Sequence, residues 1–117
     1  MTALFKPLPL LATLLWLALA ASADVHRVYI ANGYFTPRIQ DVKSGDIVEW
    51  VFSTTTPTTV VQGRGCVQQA GGFRSTQLAN DRTFQVQFKY PGKYDYFSEE
   101  QCKALGMSAQ IWVDQPR

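Results

Sequence analysis

Val42-Lys43-Ser44-Gly45-Asp46-Ile47-Val48-Glu49-Trp50 joins two runs of strand-forming residues through the tight turn Lys43-Ser44-Gly45-Asp46. Gly45 supplies the residue that such a turn needs where φ is positive. Past the turn, Val48, Trp50 and Phe52 fall on one face of an extended chain and Glu49 on the other. That period of two marks a strand with one face buried.

The same pattern continues in both directions. Upstream, Val25 to Ile30 is β-branched and aromatic. Asn32-Gly33 and Thr36-Pro37 then punctuate a turn before Arg38 to Val42. Downstream, Thr58 to Gln62 reads as a shorter strand. Residues 63–81 lose the period, and Gly63, Gly65, Gly71 and Gly72 mark them as loop. Thr83 to Lys89 alternates with Phe84, Val86 and Phe88 inward. Pro91-Gly92 turns the chain into Lys93 to Phe97, with Tyr94 and Tyr96 on one face. Glu99 to Leu105 fits a short helical turn opened by Ser98 as N-cap, and Ala109 to Asp114 is the last strand. Short strands with almost no helical period predict an all-β fold, two antiparallel sheets packed face to face as a Greek-key sandwich. The segment from Thr54 to Asp81 supplies its surface loops.

Residues 1–23 do not fit that domain. Lys6 precedes Leu8 to Ala20, LPLLATLLWLALA, and Ala21-Ser22-Ala23 follows. An apolar run shorter than the ~20 residues of a membrane span, ending in small residues, reads as a secretory signal peptide. Cleavage after Ala23 leaves a domain of residues 24–117, exported and extracellular. Its charges are scattered along the chain, from Arg27 to Lys93, and the whole chain carries +2. No basic stripe is present for nucleic acid. Two cysteines, Cys66 and Cys102, in an oxidising compartment predict one disulfide. The other reading of the pair is two free thiols, one of them binding metal.

Several pieces in this order resemble the cupredoxins, the blue-copper proteins. They are Tyr34-Phe35-Thr36-Pro37, the Gly45-Asp46-Ile47-Val48-Glu49-Trp50 turn and strand, Thr58-Thr59-Val60-Val61, and Phe73-Arg74-Ser75. Phe84 to Phe88, Pro91-Gly92-Lys93-Tyr94-Asp95-Tyr96-Phe97 and Gly106-Met107 with Ile111-Trp112-Val113 complete the set. The cysteines look like the bridge of plant phytocyanins and related fungal secreted cupredoxins, in which the second Cys follows a copper-ligating His. The resemblance implies a sandwich and a type 1 copper site of two His, one Cys and an axial Met. Carried over one at a time, the first His position is Thr58, the Cys position Ser98, the second His position Gln101 and the axial position Met107.

Only Met107 keeps a ligand of that set. A trigonal copper site needs two imidazoles and a thiolate, and His26 is the one histidine in the chain. Thr58, Ser98 and Gln101 thus become vestigial positions, a polar cluster that plugs the former cavity by mutual hydrogen bonding or lines a small-ligand pocket. If cleavage exposes Asp24, then Asp24-Val25-His26 can wrap Cu(II) or Ni(II) in a square plane of amine, two backbone amides and imidazole.

No catalytic constellation is present: His26 lacks a G-x-S-x-G partner, Glu99-Glu100 diverges toward solvent, and Gly63-Arg64-Gly65 lacks a phosphate-loop setting. The expected function is a secreted, non-enzymatic binding or structural module with no cofactor. Its partner would be an extracellular protein, a glycan or a small ligand, met through loops and through Tyr34, Phe35 and Phe73. The alternatives are a copper-binding protein, through the N-terminal chelate or an atypical site around Cys102 and Met107, and an electron carrier.

Overall fold

The computed structural model describes residues 22–117. The leader expected at residues 1–23 lies, up to Ala21, outside the described residues. Among the described residues no helix is long and apolar enough to cross a membrane.

The chain runs β1 (Val25–Ala31), β2 (Tyr34–Thr36), β3 (Ile39–Lys43), β4 (Ile47–Phe52), β5 (Val60–Arg64), β6 (Val67–Gln68), β7 (Arg82–Gln87), β8 (Gly92–Ser98), α1 (Cys102–Leu105) and β9 (Ser108–Asp114). One sheet has the order β2-β1-β4-β7 and the other β3-β9-β8-β5-β6. The expected sandwich is therefore present. Its sheets are mixed rather than purely antiparallel, because β1 pairs with β4, and β3 with β9, in parallel. The chain leaves the first sheet after β2, contributes β3 to the second, and returns at β4 alongside β1. Parallel neighbours need such a crossover and cannot be joined by a hairpin. Turn residues reveal where the chain reverses but not which strands end up adjacent.

The alternation read from sequence fills the space between the sheets. Val28 and Ile30 of β1, Val48, Trp50 and Phe52 of β4, Tyr96 of β8 and Ile111 of β9 are all buried. Trp50 lies at the centre, its ring 5.3 Å from Tyr96, 5.4 Å from Phe73 and 5.7 Å from Phe84. Burial pushes the Tyr96 phenol well above its ordinary range, so the ring stays neutral.

Two local expectations change. Gly63 is not in a loop; it lies within β5, paired with Gln68 of β6. A Cβ there would sit 2.0 Å from the Val67 carbonyl oxygen and 2.9 Å from Phe97 Cε1. Glycine is required by the close approach of the hairpin, not by flexibility. The helix begins at Cys102 rather than Glu99, and Gln101 occupies its N-cap without a side-chain cap bond. Residues 99–101 are held instead as a turn. The Glu99 N–H donates to Thr59 O at 3.0 Å, and the Gln101 N–H donates to Ser98 Oγ at 3.2 Å. Gly106 ends the helix in the left-handed region, φ 64°.

Cys66 and Cys102 form the expected disulfide, 36 residues apart in sequence. In the chain-entropy picture closing such a loop stabilises the fold by on the order of 4 kcal/mol.

The Lys43–Asp46 turn is also an electrostatic knot. The buried Asp46 carboxylate accepts N–H bonds from Lys43 at 3.0 Å and Asp24 at 3.1 Å, and His26 Nε2 lies 2.8 Å away. The Arg117 guanidinium donates to both Asp46 oxygens, at 2.5 and 3.0 Å, and to Asp24 at 2.6 Å. The start of β1, the β3–β4 turn and Arg117 thus converge on one carboxylate. Arg117 is the main cause holding the Asp46 carboxyl well below the usual carboxylate range, against the opposing effect of burial.

Two outcomes follow from this architecture. Gly63→Ala should destabilise by about 2 kcal/mol or more through overpacking, read as a lower midpoint of denaturant unfolding with an unchanged slope; an unaltered midpoint would show that the hairpin can move aside. Because Asp46 is depressed in the folded state, its contribution is complete above the unfolded Asp value of about 4 and falls away as pH drops below it. Thermal unfolding should therefore lose stability below about pH 4, and Asp46→Asn should be less stable at neutral pH and flatter across that acid range.

Candidate functional site

The four positions singled out by the resemblance meet at one end of the sandwich. Thr58 leads into β5 and bridges Leu78. Val60, two residues on, pairs with Ser98 at the end of β8. The Ser98 N–H donates to the Met107 carbonyl at 3.0 Å, and the Gln101 N–H to Ser98 Oγ. Thr58, Ser98 and Met107 are buried, and Gln101 is half-buried.

Their polar atoms are satisfied mostly by backbone and only in one case by each other. Thr58 Oγ1 lies 3.4 Å from the Thr56 carbonyl, and Gln101 Oε1 accepts the Gly33 N–H at 2.8 Å. That last bond ties the turn before α1 to the hairpin after β1. No sequence signal marks the Gly33–Gln101 link, since the two are 68 residues apart. Beside Met107 lies a cavity of about 120 Å³, reached by Gly33, Tyr34, Phe35 and Arg38. It is well short of the roughly 300 Å³ at which small-molecule pockets begin.

Asp24, Val25 and His26 are at the far end of β1 from Gly33. Val25 and His26 pair with Ile47 and Val48, and the Asp24 carbonyl accepts the Ile47 N–H at 2.9 Å. A square-planar chelate would have to lift this segment out of the sheet. Ligand atoms of Asp24, His26 and Asp46 lie within 4.8 Å of one another, and the Arg117 guanidinium already supplies the positive charge that the two carboxylates face.

Of the three aromatics expected at the surface, Tyr34 is exposed. Phe35 is buried with its ring 4.8 Å from Tyr96, and Phe73 packs on Trp50. Phe35 points inward from β2, Phe73 points inward from the long loop, and both pack against rings of the core. Glu100 does not simply face solvent. Its carboxylate accepts the Thr59 N–H and hydroxyl, both at 2.7 Å, and the Gln77 amide at 3.0 Å. Burial raises its carboxyl, but the bonds from Gln77 and Thr59 outweigh that and hold it below the usual range. Glu99 pairs with Arg74 at 2.5 Å. These bonds fasten the long loop to the turn before α1.

No protein-family model matches the chain, and no curated protein sequence matches it. Solved structures do. An oxidised methionine-to-leucine mutant of amicyanin is 23% identical, covering 83% of this chain and 88% of that one, with a TM-score of 0.64. The Cu(I) form of a methionine-to-glutamine mutant of amicyanin is 22% identical over 83% and 88%, with a TM-score of 0.66. A purple cupredoxin from Nitrosopumilus maritimus is 15% identical over 76% of this chain and 99% of that one, with a TM-score of 0.64. With its two mixed sheets, its bridge and these neighbours, the chain has the cupredoxin fold.

Proposed function

We propose that this chain is a secreted, non-catalytic binding module built on the cupredoxin fold and lacking a type 1 copper site. The observation that carries the reading is the state of sulfur. The chain has two cysteines, and they are joined to each other, so neither offers a thiolate. The second support is the histidine count: His26 is alone and is engaged with Asp46 at the opposite end of β1 from Gly33, the residue Gln101 holds. The donors at the four aligned positions are two hydroxyls, an amide and a thioether, which do not fit a soft, trigonal copper centre. Export is supported by the leader-like pattern of residues 1–23 and by the disulfide, which persists in oxidising compartments.

Protein purified from a secreting host without added metal should contain far less than one copper per chain, show no intense visible copper–thiolate band, and yield no free thiol when denatured. Stoichiometric copper with an intense blue or purple colour would instead make it an electron carrier. The positional assignment has its own test. Thr58→His, Ser98→Cys and Gln101→His together, with Met107 retained, should take up Cu(II) and develop a visible charge-transfer band. A folded triple variant that binds no copper would remove these residues from the roles assigned to them.

A further inference from the structure

The inward positions of β8 and β9 are Tyr94, Tyr96, Ala109, Ile111 and Val113, so Asp95, Phe97, Ser108, Gln110 and Trp112 point away from the core. An outward strand position is ordinarily wet. Phe97 is not: it is 4% exposed, packed with Val61 and the Cys66–Cys102 bridge in a second, smaller apolar cluster outside the sandwich. The β5–β6 hairpin, held close by Gly63, forms one wall.

Against that cluster lies a cavity of about 410 Å³, bounded by Arg38, Arg64, Asp95, Phe97 and the disulfide. Its volume falls within the range of small-molecule pockets, roughly 300–1,000 Å³. The charges around it do not balance. Asp95 accepts the Gln110 amide at 2.7 Å and faces Arg64 Nε at 3.4 Å. Arg38 forms no ion pair among the described residues; its Nε–H reaches only the Ser108 carbonyl, at 3.5 Å. The rim thus carries two guanidinium groups but one carboxylate, above an apolar floor.

We propose that this outer-face cavity binds a small monocarboxylic acid with an apolar body. Its carboxylate pairs with the fork of Arg38, the geometry guanidinium groups favour. Its aryl or short alkyl part rests against the disulfide and Phe97. Asp95 sets the charge limit, because a second anionic group on the ligand would face it unpaired. The proposal rests on reading the chain as a binding module. Copper analysis of the same sample tests that reading separately.

The probe is 3-phenylpropionate, titrated into isotopically labelled full-length processed protein and followed by amide chemical shifts. Saturable shifts are expected at Gly63, Gly65, Phe97 and Gln110. Both 3-phenylpropionamide and the exposed-site variant Arg38→Gln should weaken binding about tenfold or more, the loss of one charge-assisted pair. Arg64→Gln, at a side chain 85% exposed, serves as a second variant that leaves packing intact and should weaken binding less. No saturable shift at the solubility limit, shifts confined to another face, or equal affinity for acid and amide would each overturn the proposal.

Discussion

The two inner sheet faces must fill one space, and Trp50 is the residue around which they do it. Its indole is fully buried and touches rings from β7, β8 and the long loop through Phe84, Tyr96 and Phe73. Interiors pack at crystal-like density, so the position of one large ring constrains every neighbour. Phe73 is drawn inward by that ring, and with it the loop that carries it. The loop is then fastened by bonds from the Gln62 and Phe73 backbone and by Ser75 Oγ accepting the Val60 N–H. Tertiary packing thereby turns a glycine-rich connection into part of the wall.

That same closure orders the end of the sandwich where Thr58, Ser98, Gln101 and Met107 lie. Thr58, Ser98 and Gln101 sit among backbone groups that need partners, and they supply them: Ser98 Oγ for a turn N–H, Gln101 for the hairpin at Gly33. Polar side chains at a buried chain end do structural duty when they complete hydrogen bonds that the backbone leaves open.

The disulfide has a consequence beyond the entropy it removes from the unfolded chain. Cys66 lies on the β5–β6 turn in the left-handed region, φ 63°, and Cys102 opens α1. Bridging them lays sulfur and Phe97 together on the outside of the five-stranded sheet. The sheet therefore has apolar matter on both faces at this one place, and beside it stands Arg38, which forms no ion pair among the described residues. The cavity on this surface, about 410 Å³, exceeds the one of about 120 Å³ beside Met107.

The strands of β4, β7 and β8 were legible in the chain because their side-chain period is local: alternate residues of Ile47 to Phe52 or Thr83 to Phe88 must face opposite ways whatever lies opposite them. Local chemistry also determined the Gly45 turn, the paired cysteines and the want of imidazoles. The parallel pairing of β1 with β4, the place of Gly63 inside a strand, the burial of Phe35 and the packing of Phe73 on Trp50, and the convergence of Asp24, His26 and Arg117 on Asp46 were decided only in three dimensions. Each of those joins residues distant in sequence, and their contacts depend on which surfaces meet once the sheets close. The residue types alone record what a position can bond to, not what the fold brings within 3 Å of it.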